Sequence, residues 1–169
     1  MIAKYNLTEK DLIAQQKNAI SKTKYHIKTK TIYTIIYFLL IYLYLFITHT
    51  PGDSIWFGIT VSIIFSPLLS IIYRHGMINR FRKDVLRHHQ HLTGDFSLVL
   101  SDDELVKESK NSTERFNWSE FNQIKEDNDR YYLYITDLKA VTIKKEPENM
   151  NEKETKELQA LINRKKNSG

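Results

Sequence analysis

Two stretches of this chain carry no charged residue, and each is long enough to cross a membrane. Residues 31–48 read TIYTIIYFLLIYLYLFIT, and residues 54–73 read SIWFGITVSIIFSPLLSIIY. As helices rising about 1.5 Å per residue they extend roughly 27–30 Å, the thickness of a hydrocarbon core. Between them lies His49-Thr50-Pro51-Gly52-Asp53, a turn with Pro-Gly at its centre. A buried helical hairpin in a soluble protein is the competing reading. It would need far more apolar surface elsewhere than 169 residues supply.

The charges fall on either side of this hairpin. Residues 1–30 carry a net +5, residues 31–73 a net −1, residues 74–93 a net +4 and residues 94–169 a net −3. Lys22, Lys24, Lys28 and Lys30 precede the first span, and Arg74, Arg80, Arg82, Lys83 and Arg87 follow the second. The turn between the spans has neither Lys nor Arg. The positive-inside rule therefore places both termini in the cytoplasm and makes the chain a multi-pass protein of the plasma membrane. These cations are candidate contacts for anionic lipid headgroups of the inner leaflet. A basic balance is otherwise a nucleic-acid signal. Here the cations sit at the membrane edge and the remaining segment is acidic, so no nucleic-acid partner is expected. Thirty hydrophilic residues before the first span exclude a cleavable signal peptide.

Within the hairpin, Gly58, Ser62, Ser66 and Ser70 recur at i+4, a stripe that lets a neighbouring backbone approach closely. Tyr33, Tyr37 and Tyr44 lie near one face of the first span. The expected packing sets the tyrosines on the serines within one chain, and the rival use of the small stripe is a homodimer. Pro67 should kink the second span. No Asp, Glu, Lys or Arg lies inside either span, which argues against a transporter or proton pump.

The flanking segments are patterned differently. Residues 1–7 can form a short strand. Thr8 then reads as a helix N-cap, with Asp11 close to a capping box. Ile13, Ile20 and Ile27 predict an amphipathic helix running into the first span, and Met77, Phe81, Val85 and Leu92 predict another after the second. Either pair can form a stalk or lie on lipid. From Gly94 the period changes to that of strands: 95–100, 104–109, 114–118, 120–126, 131–136 and 140–144. A C-terminal helix follows, capped by Asn151 and ending in Arg164, Lys165 and Lys166. The domain boundaries read as 1–30, 31–73, 74–93 and 94–169. The fold class is an α+β membrane protein, with a small antiparallel sheet closed by a C-terminal helix in the outline of a pleckstrin-homology-like (PH-like) domain. Its expected core is Trp118, Phe121, Ile124, Leu133, Ile135, Leu158, Leu161 and Ile162.

The segment from Leu100 to the C-terminal helix resembles the YcxB-like family of Gram-positive bacteria. The resemblance rests on Leu100-Ser101-Asp102, Trp118-Ser119-x-Phe121-x-x-Ile124, Tyr132-Leu133-Tyr134-Ile135 and the apolar-basic strand 140–145. The layout of strand, helix, two spans, sheet and helix is also similar. Where the family usually has Gly after the first turn, this chain has Glu104. The resemblance implies a fold and a bacterial membrane location. It carries over no catalytic residue.

Chemistry-bearing motifs are sparse. With no cysteine, the chain has no disulfide, thiol nucleophile or Cys-ligated metal. His88 and His91 are spaced i, i+3, with His89 between them and His75 upstream. Without a completing carboxylate, this reads as a polar patch that gains charge in mild acid rather than a metal site. Glu126-Asp127-Asn128-Asp129 lacks EF-hand spacing and reads as a hairpin tip. There is no phosphate-binding glycine loop and no nucleophile elbow. Neither an enzyme nor a cofactor is expected. The function expected is an interaction or sensing module facing the cytoplasm, with a protein partner at a sheet edge or an acidic face. The alternative is an immunity protein against a membrane-active peptide or toxin, acting through the hairpin.

Overall fold

A computed structural model describes residues 1–48, 52–88, 93–110 and 112–167, with the side chains of 53–54 and 85–88 left aside. The order is β1 (Ile2–Leu7), α1 (Glu9–Lys22), α2 (Lys24–Ile47), α3 (Gly52–His88), β2 (Gly94–Leu100), β3 (Glu104–Ser109), β4 (Thr113–Asn117), β5 (Gln123–Glu126), β6 (Arg130–Tyr134), β7 (Ala140–Lys144) and α4 (Glu152–Asn167). The protein is thus α+β, with two antiparallel sheets among the described residues, ordered β1-β2-β3-β4 and β5-β6-β7. The chain divides into two compact units. One comprises Met1–Gln16 with Arg82–Gly169, and the other Lys17–Phe81.

The first unit holds both sheets. β1 pairs with β2 from Ile2↔Val99 to Leu7↔Gly94, across the whole helical insertion. Alternation turns Ala3, Tyr5 and Leu7 inward beside Phe96, Leu98 and Leu100. Tyr131, Leu133, Val141 and Ile143 face them from the second sheet, and Leu158 and Ile162 of α4 close the same core. Phe121 belongs to this core, while Trp118, Ile124, Ile135 and Leu161 are partly buried against it.

The sequence predicts one continuous meander with a strand over 120–126. Instead Trp118–Glu120 forms a 3-10 turn, and β5 starts only at Gln123. The reason is local. Asn117 N–H donates to Glu120 Oε1 at 2.8 Å and the Asn117 side chain caps the turn in return, so the chain leaves the first sheet there. The turn before Glu104 is built without glycine. Ser101 Oγ accepts from Glu104 N–H and donates to Glu104 O, both at 3.0 Å. Glycine is needed at Gly94, where φ is +112° as the chain enters β2.

A second departure lies at Thr23. The heptad Ile13, Ile20, Ile27 predicts one helix into the first span, but Thr23 is extended (φ −89°, ψ 147°) and separates α1 from α2. Its hydroxyl donates to Ala19 O at 2.9 Å, a local bond that competes with helix continuation. Ile20 is buried, while Ile27 beyond the break is exposed. α3, by contrast, is helical throughout its 37 residues with Pro67 inside it.

Leu133 has no exposed surface, whereas Leu138 is 59% exposed. Leu133→Ala is expected to lower stability by about 3 kcal/mol, and Leu138→Ala by less than about 0.5 kcal/mol. Denaturant unfolding of the two variants in matched detergent checks this difference.

Candidate functional site

Both faces of β6 are covered. Tyr131 and Leu133 point into the core, while Tyr132 and Tyr134, equally buried, point to the opposite face. On that face α1 supplies the polar partners. Thr142 Oγ1 donates to Gln15 Oε1 at 2.6 Å, and Arg130 Nε donates to Asp11 Oδ1 at 2.7 Å. Asp11 also accepts from Thr8 N–H and the Thr8 hydroxyl, both at 2.8 Å, and Lys144 Nζ stands 3.6 Å away. One carboxylate therefore caps α1 and fastens it to the sheet. Burial of Asp11 opposes its ionisation, but the Thr8 N–H and Arg130 outweigh it and hold the carboxyl below the usual range.

The β5–β6 hairpin tip extends this network. Asp127 Oδ1 accepts from the N–H groups of Asp129 and Arg130 at 2.9 and 2.8 Å, and Oδ2 accepts from the Tyr132 hydroxyl. Glu126 is bonded by Lys166 at 2.7 Å and Lys145 at 2.9 Å, which lower its pKa. A cleft of about 310 Å³ opens here, lined by Asp11, Asp129, Arg130, Lys144 and Lys145 among others. Each of its cations already faces a carboxylate, so the cleft offers little uncompensated charge to an ionic ligand. The carboxylates of 126–129 shape a hairpin tip by bonding the chain itself. Among the described residues, no group of three or more His, Asp or Glu is placed to hold a metal ion.

In the second unit α2 and α3 pack against each other. Gly58 faces Leu45, whose side chain lies 3.3 Å from where a Cβ would stand. Ser62 is buried, Ser66 half-buried and Ser70 exposed. Tyr37 is half-buried, but Tyr33 and Tyr44 are 57% and 66% exposed. The close contact across the pair is thus a branched leucine over glycine, while Tyr33 and Tyr44 are largely exposed. The serine hydroxyls bond their own helix, Ser62 to Gly58 O at 2.7 Å and Ser66 to Ile63 O at 2.9 Å, and need no phenol. The polar contact across the pair was not legible in the stripes: His26 Nδ1 and the Tyr73 hydroxyl, 2.7 Å apart. His26 is fully buried, and the Tyr33 ring also rests near Tyr73, with centroids 6.0 Å apart.

Of the cations flanking the two apolar helices, Lys22, Lys24, Lys28, Arg74, Arg80 and Lys83 are exposed and Lys30 is half-buried. Arg82 is exposed and bonds Glu9 at 2.6 Å. The side chains of Arg87 and His88, and all of His89 and His91, lie outside the described residues, as does most of the turn at 49–53.

Two outcomes follow from this geometry. Asp11 has a folded-state pKa below its ordinary value of 3.8, so its contribution is present above that value and lost as pH falls through the lower one. Asp11→Asn should cost about 2–3 kcal/mol at neutral pH and flatten the acid limb of a melting profile taken down to about pH 3. For the helix pair, a double-mutant cycle of His26→Phe and Tyr73→Phe should give a coupling of about 1 kcal/mol in thermal unfolding. A coupling of zero would mean that the contact holds nothing.

Comparison with known proteins bears on the first unit. A family model described as YcxB-like protein matches residues 100–162. No curated protein and no solved structure matches the chain. The matched stretch runs from the end of β2 through β7 into α4, and includes the Trp118 to Ile124 block and the Tyr132 to Ile135 strand. From Leu100 to Ile162 this chain is similar to the YcxB-like family.

Proposed function

We propose that this chain is a non-enzymatic interaction module anchored in the bacterial plasma membrane, with both termini in the cytoplasm. The observation that carries the reading is the outward apolar surface of α2 and α3. Leu40, Phe46, Trp56, Phe57 and Ile64 are each more than 60% exposed on helices long and apolar enough to cross a bilayer. A core helix of a soluble protein would bury such side chains; lipid accepts them. The exposed cations at 22–30 and 74–83 are suited to anionic headgroups of the inner leaflet. Leu45 on Gly58 supports use of the small stripe within one chain, and a homodimer through that stripe is the competing arrangement.

Four plus three antiparallel strands closed by a C-terminal helix also support a PH-like reading of the first unit. The saturated ion pairs around Asp11, Arg130 and Glu126 support a scaffold rather than a catalytic centre, since their charges are spent on one another. The function then lies in what the surface of this unit contacts, and a protein partner is the natural ligand for such a scaffold.

The absence of cysteine makes topology easy to test. Gly52→Cys should react with a membrane-impermeant maleimide in intact cells, and Lys10→Cys and Lys153→Cys only after lysis. Equal labelling of all three, or release of the protein by alkaline carbonate, would sink the anchored reading. Photo-cross-linking from the first unit in native membranes should join it reproducibly to one protein. Adducts with abundant proteins alone would count against the interaction role.

A further inference from the structure

The backbone of the first unit has open and closed sheet edges, and the hydrogen bonds identify which is which. In an antiparallel ladder, bonded and non-bonded pairs alternate, so every second residue of an edge strand points its N–H and C=O away from the sheet. Along β1 the ladder bonds run through Met1 and Leu100, which leaves Ile2, Lys4 and Asn6 facing outward. The segment at 148–149 takes these groups. Lys4 N–H donates to Asn149 Oδ1 at 2.6 Å and Asn6 N–H to Glu148 Oε1 at 3.3 Å, while Lys4 O accepts from Glu148 N–H at 2.9 Å and Ile2 O accepts from Asn149 Nδ2 at 3.0 Å. That edge is sealed. On β7, Thr142 O accepts from the Tyr5 hydroxyl. β5 is only four residues long, and Lys166 of α4 reaches its Glu126.

β4 differs. Ser109 N–H donates to Ser112 O at 2.8 Å and Trp118 N–H to Asp103 O at 3.4 Å, so the bonded pairs between them are Lys107 with Glu114 and Leu105 with Phe116. Thr113 and Arg115 therefore aim their backbone groups outward, and no described residue bonds them. Both side chains are exposed. An open edge of this kind is a template for an added strand unless charge or proline blocks it. Here the surrounding charge selects rather than blocks. Glu104, Glu108, Glu114 and Glu120 surround the edge, with Glu120 accepting from the Asn117 N–H. Against them stand Arg115, which pairs with Glu104 at 3.8 Å, and Lys110 at the hairpin tip, while Lys107, opposite Glu114, and Lys139 are turned over the Phe96 and Phe116 rings at 4.3 and 5.9 Å.

We infer that the outer edge of β4 accepts an extended, basic segment of a partner protein as a fifth strand of the first sheet. This rests on the interaction-module reading and names the surface and the partner's chemistry. The main chain of the guest bonds Thr113 and Arg115, and its Lys or Arg side chains approach the glutamates of β3 and β4.

The test uses the full chain in phosphatidylcholine nanodiscs, which offer no anionic lipid to a basic probe. Three eight-residue peptides are compared: lysine alternating with valine, glutamate alternating with valine, and the lysine peptide with a central proline. The lysine peptide should bind and slow amide exchange at Thr113 and Arg115 by about tenfold or more. The other two should not. Thr113→Pro removes an outward N–H and no ladder bond, so it should keep the fold and weaken the lysine peptide by about tenfold. Glu114→Lys, which leaves the backbone untouched, should weaken it as well. Failure of all three peptides, equal binding of the acidic one, or binding that leaves those amides unprotected would overturn the inference. A membrane cross-link that persists in Thr113→Pro would overturn it while leaving the interaction role standing. The absence of any specific cross-link would instead remove the role itself.

Discussion

The first unit depends on the return of its own N-terminus. Ile2–Leu7 pairs with Gly94–Leu100 across three helices, and without it the first sheet loses an edge and the core loses Ala3, Tyr5 and Leu7. Closing so long a loop is less costly than it looks, because the entropy of closure grows only with the logarithm of length. The return is then secured several times over. The terminal ammonium donates to Leu100 O, the Tyr5 hydroxyl donates to Thr142 O, and Glu148 with Asn149 covers the outer edge.

Asp11 performs a parallel task one element later. A helix that begins two residues after β1 has a loose start unless its first turn is satisfied. Thr8 and Asp11 satisfy it, and the same carboxylate reaches Arg130 and Lys144 on the second sheet. Capping and docking thus share one side chain. Each carboxylate of the network has a structural partner within the first unit.

The first unit's charged surface is divided by the same logic. Cations on α4 reach across to the sheets and turns: Arg164 to Asp102, Lys165 to Asp102 O and Lys166 to Glu126. Glutamates of β3 and β4 have fewer such partners and remain on the surface. Arg115 pairs with Glu104 at 3.8 Å between exposed groups, which contributes little stability, and Glu114 lies opposite Lys107.

Much of this was legible in the sequence. Two uncharged runs bounded by cations mark the apolar helices, because composition alone decides whether a helix can be wetted by lipid. Period-two alternation located β3 and β7, and Asn151 marked the start of α4, because strand alternation and capping are local. What the sequence left open was non-local. One sheet became two because Asn117 and Glu120 bend the chain between β4 and β5. Tyr132 and Tyr134 became buried on a face that alternation could only count as the far side, where Asp11 and Gln15 of α1 bond Arg130 and Thr142. The helix pair joins through Leu45 on Gly58 and His26 on Tyr73, since facing residues are chosen by the rotation of both helices together. The sequence by itself determined which segments are apolar, which are strands and where helices begin. Only the tertiary structure decided which edges are sealed and how carboxylates such as Asp11 and Glu126 are spent, because those depend on neighbours distant in the chain: Asn149 for Lys4, Arg130 for Asp11 and Lys166 for Glu126.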